Sequence, residues 1–252
     1  MDPEPLFERE DFRRIAGQAL RPGGTALTSL ALEHCFLAPG ALVADVGCGR
    51  GASLDLLTGR GFRPIGLDPS PRLLAEARQQ GVTAWLVRGA AEAVPLRDGT
   101  FAAVLCECVL SVTRDPDAAL AEMRRILAPG GLLLMTDLYL RDPVDVPAAR
   151  VADTVLDCSG LGSAHLHCLL PDAGRGARPS GCAAGAVPRA QVEERLRRAG
   201  FSVRVFEDHS RLLAELAGRL LFAGFDRQGL GIGCSGGGRP GYFLCIAQAE
   251  AP

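Results

Sequence analysis

From about residue 41 to residue 137 the chain repeats one unit: a short apolar run, then a longer stretch with helix character. That alternation is the pattern of β-α-β units, whose consecutive strands lie parallel in one sheet. The runs span residues 41–45, 64–68, 84–87, 103–106 and 132–137. They are nearly continuous in apolar residues rather than alternating, as strands covered on both faces must be. Ser70-Pro71 and Asp115-Pro116 each set a capping side chain before a proline at the first helical position. Behind the second of these, Leu120, Met123 and Leu127 form one apolar stripe at helical spacing. Pro129-Gly130-Gly131 then ends the helix and turns the chain into the next strand. The expected fold is a doubly wound α/β sheet, with its ligand edge where the strands finish.

The 252 residues read as a single domain, 1–252, in four stretches. Residues 1–40 form a helical flank, with helices over 7–20 and 25–36 separated by Arg21-Pro22-Gly23-Gly24. Residues 41–137 are the ligand-binding core, and 141–187 are an irregular insertion rich in glycine, proline, cysteine and histidine. Residues 188–252 complete the sheet through a charged helix at 190–199, a strand at 201–207, a helix at 212–222 and a last strand at 242–247. Charge is balanced, 27 basic against 29 acidic residues, which argues against a nucleic-acid partner. No apolar run is long enough to cross a bilayer, and the acidic start lacks the features of a secretory signal. Nine cysteines cannot all pair, so they read as thiols in a reducing, cytoplasmic protein. The oligomeric state is not legible.

The chemistry-bearing segment is Asp45-Val46-Gly47-Cys48-Gly49-Arg50-Gly51, an acid at a strand end leading through a glycine loop into a helix. Glycines allow the sharp turn and the close approach of a ligand. Alone they fit a dinucleotide site as well, so a nicotinamide-dependent oxidoreductase stays open at this point. Asp45 tips the balance, because a carboxylate at the loop mouth repels a pyrophosphate and suits a ligand carrying ammonium and sulfonium charges. Asp68 ends the second strand, where an acid can accept hydrogen bonds from both ribose hydroxyls of either cofactor. Acids also follow the third and fourth strands, Glu92 and Glu107, which gives the edge a negative character suited to S-adenosylmethionine.

These segments resemble the class I S-adenosylmethionine-dependent methyltransferases, in particular the branch with the quinone-biosynthesis and arsenite methyltransferases. The resemblance also rests on Gly66-Leu67-Asp68-Pro69-Ser70, Ala91-Glu92-Ala93-Val94-Pro95-Leu96 and Arg125-Ile126-Leu127-Ala128-Pro129-Gly130-Gly131, and covers residues 20–140. It implies a Rossmann-like, seven-stranded sheet, mostly parallel with its last strand antiparallel. It further implies that S-adenosylmethionine is held by Asp45, Gly47, Cys48, Gly49, Gly51, Asp68, Pro69, Ala91, Glu92 and Cys106. The family usually carries an aspartate where Ala90 stands, so adenine would rest on backbone groups and apolar neighbours.

For the acceptor, Glu107 is a candidate base or holder of the cofactor's ammonium. Cys182, in a segment resembling the cysteine-containing stretch of arsenite methyltransferases, is a candidate catalytic thiol. With Cys158, Cys168 or Cys234 it could hold a thiophilic centre, a thiol, selenium or arsenite-like metalloid, since soft thiolates bind soft centres. His165-Leu166-His167-Cys168 lacks a second ligand pair at metal spacing, so no metal is expected. A non-catalytic S-adenosylmethionine-binding sensor is the remaining alternative, favoured by Ala90.

Overall fold

The computed structural model describes residues 6–141, 185–225 and 239–250. Seven strands form one sheet: β1 (Leu42–Val46), β2 (Arg63–Asp68), β3 (Trp85–Arg88), β4 (Phe101–Glu107), β5 (Leu127–Arg141), β6 (Phe201–Asp208) and β7 (Arg239–Ala249). Their order is β3-β2-β1-β4-β5-β7-β6. The first five run parallel, and β7 is antiparallel to both β5 and β6. The Rossmann-like sheet expected from sequence is therefore present, last strand included. Strand order reverses between β1 and β4, and at such a switch the connecting segments part and leave a crevice.

The described residues hold seven helices: α1 (Glu10–Ala16), α2 (Gly24–Glu33), α3 (Ala52–Gly59), α4 (Pro71–Gln79), α5 (Pro116–Ile126), α6 (Arg189–Arg198) and α7 (Ser210–Phe222). Of these, α2 to α7 pack on the sheet and α1 packs on α7. One face buries Leu27 and Leu32 of α2, Leu57 of α3, and Leu212 and Leu213 of α7 against Val43, Leu105, Leu134 and Leu244. The other buries Leu120, Met123 and Ile126 of α5 and Leu196 of α6 against Val104, Leu133 and Phe243. Both capping readings hold: Ser70 Oγ accepts from Leu73 N at 3.2 Å and Asp115 Oδ1 from Ala118 N at 2.9 Å.

Three boundaries differ from the sequence reading. Residues 7–20 are not one helix: a short 3-10 turn (Leu6–Glu8) precedes α1, and Gly17, with φ of 81°, ends it. The second helix stops at Glu33, leaving Phe36 fully exposed beyond it. Leu127 does not belong to the α5 stripe; its backbone is already extended and it pairs with Phe101. Ile126 takes its place in the helix, and the proline-glycine-glycine bend lies inside a long β5 with a register shift opposite it.

Arg125 shows why its motif pairs an arginine with that bend. Its Nη1 donates to Leu96 O at 2.9 Å and its Nη2 to Val94 O at 2.7 Å, while Nε and Nη2 grip the Glu122 carboxylate. Glu122 in turn accepts from Val94 N at 2.7 Å. One planar guanidinium thus holds the loop after β3 against α5. Arg125→Ala strands these acceptors and should lower stability by about 1–3 kcal/mol in urea denaturation. Arg125→Lys should recover only part of that loss, because a single ammonium does not span two carbonyls and a carboxylate. Full recovery would mean that only the charge matters.

Candidate functional site: the carboxyl edge between β1 and β4

The glycine loop leaves β1 beside this crevice. Gly47 has φ of 80°, and a Cβ there would meet Val109 Cγ2 at 2.4 Å, so no side chain fits. Gly47 N and Cys48 N both donate to Leu67 O, at 2.7 and 3.0 Å, which fixes the loop to β2. Gly49 N donates to Asp68 Oδ2 at 2.9 Å and Ser70 N to Asp68 Oδ1 at 2.8 Å. Asp68 therefore ties the loop to the start of α4, keeping further lone pairs on each oxygen. Burial pushes its pKa up, and the two backbone donors pull it back down.

Asp45 is 3% exposed, and no hydrogen-bond donor among the described residues reaches its carboxylate. Burial raises its pKa to about 8, Glu107 and Asp68 push the same way, and Arg21 opposes them. Cys48 is buried in the satellite cluster between α3 and α4 with its thiol pKa pushed up by burial, so its side chain is inert packing. Cys106 is wholly buried among the residues facing α5, with the same consequence for its thiol. Ala91 is buried in the same core, and Pro69 O accepts from Arg88 Nε. Glu92 Oε1 accepts from Arg114 N at 2.8 Å, joining the loops after β3 and β4.

Glu107 does not offer a free base. Its Oε1 accepts from Thr28 Oγ1 at 2.8 Å and its Oε2 from Ser53 Oγ at 2.7 Å, with Arg21 Nη2 2.8 Å from Oε2. The same Arg21 nitrogen donates to Thr28 Oγ1 and Ser53 Oγ. Arg21 and Glu107 are 8% and 6% exposed. The pair is a buried anchor that pins α2, α3 and the end of β4 together. With Arg21 and two hydroxyls on its oxygens and little exposure, Glu107 serves as an anchor in this structure, which counts against the base role expected from sequence. The edge is also less uniformly negative than the acids alone suggest, because Arg21 offsets Glu107.

Sequence reasoning passed over Arg21, treating its segment only as a helix breaker. It also passed over Asp137, which is buried near the end of β5 and accepts from Ser111 N at 3.1 Å and Leu138 N at 2.7 Å. An arginine and an aspartate in otherwise apolar surroundings were the available signals. Cys158, Cys168, Cys182 and Cys234 lie outside the described residues, as do His165 and His167. Among the described residues no three His, Cys, Asp or Glu side chains gather as a metal would require, and no helix is long and apolar enough to cross a membrane.

Among the described residues no donor reaches the Asp45 carboxylate beside the loop, a place that suits a ligand's ammonium and repels a diphosphate.

Residues 44–135 match the model of the methyltransferase domain family. That match favours methyl transfer over nicotinamide chemistry as the reading of the glycine loop. Malonyl-[acyl-carrier protein] O-methyltransferase of Serratia marcescens is 35% identical over 133 residues, half of this chain and 51% of that protein. The chain spans about half the length of the curated relatives it matches first. Among solved structures, the [4+2]-cyclase SpnF superposes with TM-score 0.63 at 23% identity, covering 91% of this chain and 82% of that one. Phosphoethanolamine N-methyltransferase 2 of Haemonchus contortus, in complex with S-adenosyl-L-methionine, gives TM-score 0.65 at 18% identity, over 96% of this chain and 56% of that one. Identities this low establish a shared fold and nothing finer.

Proposed function

We propose that the protein is an S-adenosylmethionine-dependent methyltransferase acting on a small molecule in the cytoplasm. The observation that carries this reading is Asp45, a buried carboxylate with no donor at the end of β1, beside a glycine loop at the sheet's switch point. In this reading Asp45 receives the donor's ammonium and Asp68 accepts from the ribose hydroxyls. Gly47, Gly49, Gly51 and the backbone of Cys48 border the methionine part. Pro69, Ala91, Glu92 and the backbone of Cys106 border the nucleoside.

The donor supplies an electrophilic methyl carbon on a positively charged sulfur. Transfer breaks the carbon–sulfur bond, the electron pair stays on sulfur as a thioether, and a lone pair of the acceptor forms the new bond. Any proton on the acceptor leaves to water or to a nearby acceptor group. The protein's part is to align the reacting atoms and exclude water, which accounts for most of such a rate enhancement. No side chain need act as a strong base, which agrees with Glu107 being engaged elsewhere.

Two tests address this reading. Asp68→Ala should weaken S-adenosylhomocysteine binding by about 1–3 kcal/mol in calorimetry, since ribose hydroxyls lose a charged acceptor and the loop loses its tie. Unchanged affinity would remove Asp68 from the ribose role. Incubation with methyl-labelled donor and a panel of thiols, arsenite, selenite, quinols and other neutral organic acceptors should move label to a product. Binding without transfer to any of them would favour the sensor reading. Should the panel show metalloid methylation, Cys182→Ser tests the thiophilic reading: that turnover should vanish with cofactor binding spared, and surviving turnover would discard that thiol.

A further inference from the structure

Beside the donor edge lies a cavity of about 80 Å³ with an open mouth. Its wall combines Phe12 of α1, Leu20, Cys108 just past β4, Leu138 of β5, and Leu216 and Leu220 of α7. Among the described residues no charged side chain lines it. Its side-chain heteroatoms are those of Cys108 and Ser111, and each already has a partner: Cys108 Sγ lies 3.1 Å from Tyr242 Oη, and Ser111 hydrogen-bonds Asp137.

Two further observations mark this cavity as more than a packing gap. Leu20 and Cys108 both have φ of 57°, and they are the only non-glycine residues with left-handed backbone among those described. An L-residue adopts that conformation at a steric cost, and such strain gathers where a ligand must be met. Both strained residues are on this wall. One wall residue also reaches the donor loop: Leu20 Cδ1 lies 3.9 Å from where a Gly49 Cβ would stand.

We propose that this cavity seats the methyl acceptor, and that the acceptor is a neutral, mainly hydrocarbon molecule. An anion or an inorganic metalloid would lose its hydration here and find no charged partner among the described residues, whereas hydrocarbon gains by leaving water. The inference rests on the methyl-transfer reading and specifies its second substrate.

Displacement of the neutral dye Nile red from the full chain by a series of straight-chain 1-alkanols tests it. Each added methylene should tighten competition about three- to fourfold until the cavity is full. Ala217→Trp, which fills the cavity from α7, and Val112→Asp, which puts a carboxylate at its half-exposed rim, should each weaken dye binding about tenfold or more. S-adenosylhomocysteine affinity, measured in the same samples, should not change. A flat alkanol series, or dye binding indifferent to both substitutions while S-adenosylhomocysteine still binds, overturns the acceptor proposal. Failure of the unaltered protein to bind S-adenosylhomocysteine overturns the methyl-transfer reading instead, whatever the alkanols do.

Discussion

Arg21→Ala should destabilise the protein by about 3–5 kcal/mol, the largest single effect expected of any polar substitution here. The reason is the position of Glu107. Its carboxylate sits at the end of β4 under α2 and α3, and Arg21 is the one cation within contact of it among the described residues. Removing the guanidinium leaves an ionised group away from water with only two hydroxyls to hold it. Arg21's own pKa reflects the same balance: burial is the largest influence and pulls it down, while Glu107, Tyr242, Asp45 and Cys108 together carry it up. Removing both charges is a different experiment. Arg21→Met with Glu107→Leu should cost far less than the sum of the single changes, because apolar groups of similar volume need no counter-charge. Urea denaturation of the four proteins in the cycle gives the coupling. Additive losses would mean that the two side chains act independently and that the anchor is not a unit.

Asp45→Asn should weaken S-adenosylhomocysteine binding by about ten- to a hundredfold, the value of a hydrogen bond to a charged group. Its larger signature is in the pH dependence. In the free protein Asp45 titrates at about 8, so near neutrality it carries a proton. A ligand ammonium beside it favours the carboxylate, so binding expels that proton. Affinity must then rise as pH rises toward 8, by up to tenfold per unit, level off, and fall only at the higher pH where the ligand's own amine loses its charge. Asp45→Asn has no proton to expel, so the rising limb should disappear. A variant that keeps the wild-type profile would place the titration elsewhere.

Much of the fold was legible because its signals are local. Ser70-Pro71 and Asp115-Pro116 cap their helices through bonds within four residues, and near-continuous apolar runs suffice to identify buried parallel strands. The errors came where an apolar period outlasts the helix that could use it. Phe36 continues the pattern of α2, yet the helix has already stopped, and Leu127 continues that of α5 while its backbone is extended. Periodicity does not register where hydrogen bonding ends.

The site was legible in part for the same reason. The loop from Asp45 to Gly51 and its tie to Asp68 involve residues whose types state their task. Glu107 was misread because its meaning depends on a partner 86 positions away in sequence, Arg21, and on two hydroxyls from different helices. The cavity under α1 and α7 has no motif at all. It is assembled from leucines and phenylalanines that look like core in any linear reading.

The central claim is that the carboxyl edge between β1 and β4 holds a cationic amino-acid head group through Asp45. Calorimetric titration of the intact protein with S-adenosylhomocysteine at neutral pH, repeated in two buffers of different ionisation enthalpy, tests it directly by counting protons. The account predicts binding that releases close to one proton and that NADH does not displace. Binding with no proton released, or a site that prefers NADH, would contradict it.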